Sequence, residues 1–135
     1  MASDVSTFTV RSDRQHGVAR VALRGELDLA TLPSLEDHLS SLEGDGVKAI
    51  ILDLRDLRFI DSTGLRALLE AWDRAASNGH RLAIVGASDA ARKLLAITGT
   101  ERMLDEPEGM ELLEWFTRGR PAERSDPIGD RLDRE

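Results

Sequence analysis

The sequence contains no cysteine and no tyrosine, and only 3 phenylalanines and 2 tryptophans among its 135 residues. The absence of cysteine excludes a disulfide framework, a thiol nucleophile and any cysteine-ligated zinc or iron–sulfur centre. The few aromatic residues leave no aromatic-lined basic groove of the kind that binds single-stranded nucleic acid. No apolar run reaches the roughly 20 residues needed to cross a bilayer, and the N-terminus lacks the basic and apolar segments of a secretion signal. We therefore expect a cytoplasmic protein without membrane insertion.

Acidic residues outnumber basic ones, 25 against 18, which gives a formal net charge of −7. This charge would repel a nucleic-acid backbone, so we expect no direct nucleic-acid binding. Hydrophobic residues make up 41% of the chain and charged residues 32%, a balance typical of a folded domain. The length fits one domain with one core.

The hydrophobic pattern predicts an α/β fold. Residues 7–11 and 18–23 resemble strands on either side of a turn and predict an opening β-hairpin. Amphipathic helices then alternate with short apolar runs, of which residues 49–54 form the central strand, and Thr31 is placed to cap the first helix. The predicted order is β-β-α-β-α-β-α-β-α, a mixed sheet with helices packed chiefly on one side and a short last strand at residues 103–104.

Domain boundaries follow from where residues that could form a core begin and end. Residues 1–6 are predicted to be an N-terminal extension, and residues 7–116 to form the folded domain. Residues 117–135 combine dense mixed charge with two prolines and two large apolar residues. We predict that this charged tail is disordered.

The segment 59–65, Phe-Ile-Asp-Ser-Thr-Gly-Leu, places two adjacent hydroxyls between an acid and a glycine at the predicted start of the second helix. One interpretation is purely structural, because Asp, Ser and Thr are the preferred residues at a helix N-cap. The other is that a hydroxyl here accepts a phosphate, since free N–H groups and the helix dipole favour negative charge at a helix N-terminus.

Other polar residues offer weaker candidates for chemistry. Asp53, Asp56 and Asp61 lie at or after the predicted end of the central strand, as in a magnesium-dependent phosphotransfer receiver, but the first strand supplies no paired acids, so we interpret them as solvated loop acids. Ser88 is interpreted as a helix cap, since the Gly-x-Ser-x-Gly pattern fails at Ala90. No histidine is an evident general base and no phosphate-binding loop is present. We expect no enzyme activity, cofactor or metal site.

Two phrases in this order carry a resemblance to a known family. Residues 25–31 read Gly-Glu-Leu-Asp-Leu-Ala-Thr, and residues 59–65 follow after the central strand. Over residues 7–116 the chain resembles the STAS domain of bacterial anti-sigma-factor antagonists. The resemblance implies a STAS-like mixed sheet and a protein that binds an anti-sigma factor, often itself a serine kinase, and so frees a sigma factor. It also implies that the kinase phosphorylates the antagonist and that a serine phosphatase reverses this.

By the same resemblance, Ser62 is the phosphoacceptor and Thr63 the alternative acceptor. The partner-binding residues that it implies are Asp28, Asp61, Ser62, Thr63, Gly64 and Leu65. We favour a monomer. Two alternatives remain open: an accessory subunit of a membrane transport complex or larger signalling assembly with the same fold, and a metal-dependent receiver that uses Asp53 or Asp56.

Overall fold

The computed structural model describes residues 8–104 and 108–118, which form one four-stranded sheet and its covering helices. The predicted extension at 1–6 lies outside the described residues, as does the predicted tail from residue 119 onwards. The elements are β1 (Thr9–Gln15), β2 (Val18–Leu27), α1 (Leu32–Gly44), β3 (Ala49–Ile60), α2 (Ser62–Asn78), β4 (Arg81–Val85), α3 (Asp89–Thr98), a 3₁₀ helix (Glu101–Met103) and α4 (Glu108–Arg118).

The sheet has the order β1-β2-β3-β4, with one antiparallel and two parallel pairings. β1 and β2 form the predicted hairpin, whose two turn residues, His16 and Gly17, have φ of 54° and 81°. Positive φ at both positions gives the turn the twist that a tight hairpin needs. β2, β3 and β4 are parallel, so their carboxyl ends meet at one edge of the sheet.

Helices cover the two faces of the sheet unequally. α1, α2 and α3 pack on one face around a large cluster of buried side chains that includes Leu39, Leu68 and Leu95. α4 alone packs on the other face, against the first residues of β2 and β3 and the second half of β4. The expectation of helices chiefly on one side is confirmed.

Three predicted details of the fold differ from the structure. Leu104 makes only an isolated parallel bridge to Ile84, because i→i+3 bonds from Met103 and Leu104 close a 3₁₀ turn and take up the N–H groups that a strand would use. β3 continues six residues beyond the predicted end at Leu54 and reaches Ile60. Thr31 occupies the N-cap position of α1 but makes no side-chain cap bond there.

Candidate functional site at the start of helix α2

The segment with two hydroxyls lies where β3 passes directly into α2. Leu27 and Ile60 pair at the ends of β2 and β3, and the Asp61 N–H donates a 3.2 Å hydrogen bond to the Leu27 carbonyl. The start of α2 is therefore anchored beside the loop that follows β2. This is the carboxyl edge of the parallel strands, where functional loops of α/β sheets gather.

Asp61, and not Ser62, is the N-cap of α2. Its backbone is extended, and its carboxylate accepts a 2.9 Å hydrogen bond from the Gly64 N–H. The Asp61 carbonyl accepts the first helical bond, 2.9 Å from the Leu65 nitrogen. The purely structural interpretation of the segment thus applies to Asp61, and Ser62 becomes the first residue inside the helix.

This arrangement leaves the two hydroxyls without a bond to any other residue that the structure describes. Ser62 is exposed and Thr63 is half-buried. Within the described residues, neither side chain has a hydrogen-bond partner. The Ser62 and Thr63 N–H groups precede the first intrahelical bond, so they remain available to an anion at this end of the helix.

Gly64 and Leu65 face the interior rather than the surface. A Cβ on Gly64 would lie 2.9 Å from Leu27 Cγ and 3.0 Å from the Leu27 carbonyl oxygen. The Leu65 side chain is 5% exposed and belongs to the main core. Gly64 therefore allows α2 to approach the end of β2 closely. Of the five predicted partner-binding residues at this end of the helix, only Asp61, Ser62 and Thr63 reach the surface.

Asp28 shapes the loop beside the α2 start. Its Oδ1 accepts hydrogen bonds from the N–H groups of Ala30 and Thr31 at 3.0 and 3.1 Å. The Thr31 hydroxyl donates to the Glu26 carbonyl at 2.8 Å and accepts from the Asp28 N–H at 3.0 Å. Thr31 thus closes this turn, which is why it does not cap α1.

Two exposed apolar side chains lie near these polar residues in the chain, and the sequence did not predict that they belong to the site. Leu29, next to Asp28, is 71% exposed, and Phe59, near the end of β3, is 47% exposed. Phe59 pairs with Glu26 in the β2–β3 ladder, so it lies near the carboxyl edge of the sheet, two residues before Asp61. Only one sign of these two side chains is present in the sequence: each motif contains an apolar residue that the predicted core does not need.

Asp53 is not the solvated loop acid that the sequence indicated. It lies within β3, its side chain is 4% exposed, and both of its oxygens accept hydrogen bonds from Arg55, at 2.9 and 2.8 Å. Arg20 donates a further bond at 3.1 Å. Burial would raise the pKa of Asp53, but the hydrogen bonds from Arg55 and Arg20 outweigh burial, and the pKa lies below its ordinary value.

The remaining candidates for chemistry reduce to structural roles. The Ser88 hydroxyl accepts a 3.3 Å hydrogen bond from the Ala91 N–H and caps α3, as predicted. Residues 8–104 and 108–118 contain no group of three or more His, Asp or Glu side chains placed to hold a metal ion. No helix in those two ranges is long and apolar enough to cross a membrane.

Comparison with known sequences gives matches over most of the chain. The family model described as "STAS domain" matches residues 9–112. The anti-sigma-B factor antagonist of Staphylococcus aureus strain NCTC 8325 is 32% identical over 105 residues, which cover 78% of this chain and 97% of that protein. The residues that the family model matches contain both phrases that carried the resemblance.

Solved structures with the same fold include two regulatory proteins. An anti-sigma factor antagonist from Mycobacterium paratuberculosis matches with a TM-score of 0.69 at 22% identity, over 84% of this chain and 99% of that one. The Bacillus cell fate determinant SpoIIAA in its phosphorylated form matches with a TM-score of 0.60 at 21% identity, over 78% and 98%. These matches confirm the predicted fold class.

Proposed function

Because the chain belongs to the STAS-domain family of anti-sigma-factor antagonists, we propose that it is a non-enzymatic regulator that binds a cognate anti-sigma factor and thereby releases a sigma factor. The binding surface that we propose is the α2 start together with the loop after β2. Asp28, Asp61, Ser62 and Thr63 supply its polar groups.

The exposed apolar residues give this surface its anchors. Leu29 and Phe59 expose large hydrophobic side chains close in the chain to Asp28 and Asp61. Burying such side chains supplies much of the binding energy in protein interfaces, whereas exposed polar contacts mostly set specificity. Gly64 and Leu65 would act from beneath, by holding α2 against Leu27.

Phosphorylation of Ser62, with Thr63 as the alternative acceptor, is the proposed off switch. The observation that carries this proposal is an exposed hydroxyl without a partner among the described residues, on the first residue of a helix. The unbonded N–H groups and helix dipole would stabilise a phosphate there, so the domain would stay folded. One structural neighbour of this fold, SpoIIAA, has been solved in a phosphorylated form.

Electrostatics would make the phosphorylated face unfavourable for binding. A phosphate adds about −1.5 to −2 charges beside Asp61, in a chain that already carries a net charge of −7. A partner that covers this face must desolvate that charge, which costs several kcal/mol and so weakens binding by about a hundredfold or more, unless a cation compensates. The anti-sigma factor would itself be the serine kinase, and a serine phosphatase would restore binding, all in the cytoplasm.

Mapping the modification tests the proposed acceptor. The partner is first captured from a cell extract and identified, and the parent, Ser62→Ala and Thr63→Ala chains are then incubated with it and ATP. Mass spectrometry should find one phosphate on the parent and on Thr63→Ala, and none on Ser62→Ala. A phosphate on Thr63 in Ser62→Ala would move the acceptor, and a base-labile phosphate on an aspartate would contradict the mechanism.

Binding measurements test the proposed surface separately. Ser62→Ala should bind the anti-sigma factor like the parent, and Ser62→Asp should bind more weakly while its circular dichroism stays native. Leu29→Ala should also weaken binding, whereas Ile97→Ala, which removes an apolar side chain of α3 that is even more exposed, should not. If Ser62→Asp binds as tightly as Ser62→Ala, the α2 start is not the covered surface, and the transport or signalling accessory role becomes the better interpretation.

A further inference from the structure

The half of the sheet that α4 leaves uncovered forms a cleft whose charge is opposite to that of the whole protein. This cleft has a volume of about 1240 Å³ and crosses β1, β2 and β3. Five arginines line it, and we name it the arginine cleft after them: Arg11, Arg20, Arg24, Arg55 and Arg58. Two lining aspartates, Asp13 and Asp56, and the buried Asp53 leave a local formal charge of +2 in a chain of −7.

The floor of the cleft holds two guanidinium groups in fixed positions. Two nitrogens of Arg55 donate hydrogen bonds to the buried Asp53 carboxylate, and Arg20 on β2 donates to the same carboxylate. Their side chains remain 49% and 27% exposed, so each presents unused N–H donors to the cleft. Positions that are set before binding reduce the entropy that a ligand must overcome.

The backbone around this floor leaves room for these guanidinium groups. Gly86 follows the β4 residue that pairs with Asp53, and a Cβ on Gly86 would lie 2.3 Å from Arg55 Cγ. Ala22 pairs with both Arg11 and Asp53 in the ladder, so only a methyl group stands between them on this face of the sheet. The arginine positions therefore depend on small residues at specific points of the sheet.

The other three arginines have no acidic partner among the residues that the structure describes. Within the described part of the chain, Arg11, Arg24 and Arg58 form no ion pair, although Asp56 is the ladder neighbour of Arg24. The cleft thus presents guanidinium groups from three strands, and the groups of Arg20 and Arg55 are already oriented. Such an array fits a ligand with several phosphate groups better than a ligand with one carboxylate, because each phosphate offers more acceptor oxygens. We propose that the arginine cleft binds a small molecule that carries two or more phosphate groups.

This site is distinct from the α2 start and does not depend on the proposed function. Its residues come from β1, β2, β3 and the start of α3, whereas Ser62 and Thr63 do not line it. Loss of anion binding would leave phosphorylation of Ser62 unaffected, and the Ser62→Ala substitution would leave anion binding unaffected.

Calorimetric titration with inorganic tripolyphosphate at low ionic strength tests the proposal. The full chain should bind at one site, with an affinity that falls as salt is added. The double variant Arg11→Gln/Arg24→Gln should bind at least about tenfold more weakly, since it removes two uncompensated donor groups. Its matched control is Arg66→Gln/Arg74→Gln, which makes the same charge change on α2 and should bind like the parent.

Amide NMR signals of the parent chain give a second test, which does not depend on the folding of any variant. Amide signals of Ala22 and Ser88, which line the cleft, should shift on addition of tripolyphosphate, while those of Ser62 and Thr63 should not. No saturable binding by the folded parent, or equal weakening in both double variants, would overturn the proposal. Tighter binding of hexaglutamate through the same arginines would also overturn it, because the cleft would then be a docking surface for an acidic peptide.

Discussion

Asp53 and Asp61 come from one stretch of chain, within and just after β3, yet their surroundings are opposite. Asp53 is buried and bound by two arginines, a group that we call the Asp53 clamp (Asp53, Arg20 and Arg55). Asp61 is half-buried, accepts one N–H bond, and is followed by two hydroxyls without partners among the described residues. A charge matched by fixed cations becomes part of the fold, whereas we expect a charge at an open helix start to be added or removed without unfolding the domain.

The largest effect should come from breaking the Asp53 clamp. Asp53→Asn removes the carboxylate and leaves two guanidinium groups without their common anion. We expect a loss of about 2–3 kcal/mol of unfolding free energy, somewhat below the usual cost for a fully buried pair because both arginines reach solvent. Asp56→Asn, the same change at an exposed position of the same strand, should cost less than about 0.5 kcal/mol. Urea unfolding at neutral pH compares the two.

Lowering the pH should reduce the difference in unfolding free energy between the parent and Asp53→Asn. Since the pKa of Asp53 is lower in the folded chain than its ordinary value of 3.8, its contribution is complete above that value and is lost as pH falls through the folded pKa. The difference in unfolding free energy should therefore stay constant from neutral pH down to about pH 5 and shrink below about pH 4. A difference that persists unchanged at pH 3 would contradict this electrostatic origin.

A smaller loss should follow from adding one methyl group under the α2 start. The Cβ of Gly64→Ala would meet Leu27 Cγ and the Leu27 carbonyl oxygen at about van der Waals overlap, and the carbonyl cannot move without disturbing the strand end. We expect a cost of about 1–2 kcal/mol from overpacking. Ser62→Ala, two residues away on the surface, should cost less than about 0.5 kcal/mol, as exposed substitutions usually do. Equal melting temperatures for the two variants would contradict this packing argument.

The sequence located the α2 start because that segment is local. The apolar strand, the acid, the two hydroxyls, the glycine and the apolar helix follow one another without interruption, so spacing alone placed them at a strand–helix junction. What spacing could not decide is which residue caps the helix. The extended backbone of Asp61, fixed by its bond to Leu27, makes it the cap and leaves Ser62 free.

The Asp53 clamp could not be predicted in this way, because it is assembled from distant parts of the chain. Arg20 lies 33 residues before Asp53, and the two meet only through the parallel pairing of β2 and β3. The charged residues after Leu54 also made the central strand look shorter than it is. Arg55 further needs Gly86, which β4 brings alongside. Strand periodicity could place only Asp53 and Arg55 on one face of β3, and it contains no information about Arg20 or Gly86.

The smallest expected change in unfolding free energy comes from adding one negative charge to α2. Comparing this change at the two ends of the helix tests the proposed switch most directly. Ser62→Asp adds a charge at the first residue of α2, next to free N–H groups and four residues before Arg66, where both the dipole and the i,i+4 pair favour it. Ser77→Asp adds the same charge in the last turn, four residues after Asp73, where both are unfavourable. Ser62→Asp should change the unfolding free energy by less than about 0.5 kcal/mol, and Ser77→Asp should lower it by about 0.5–1 kcal/mol. Both positions are exposed, so packing does not distinguish them. If chemical denaturation finds Ser62→Asp to be the less stable variant, the α2 start does not accommodate negative charge, and a phosphate there would act by disrupting the fold rather than by blocking a partner.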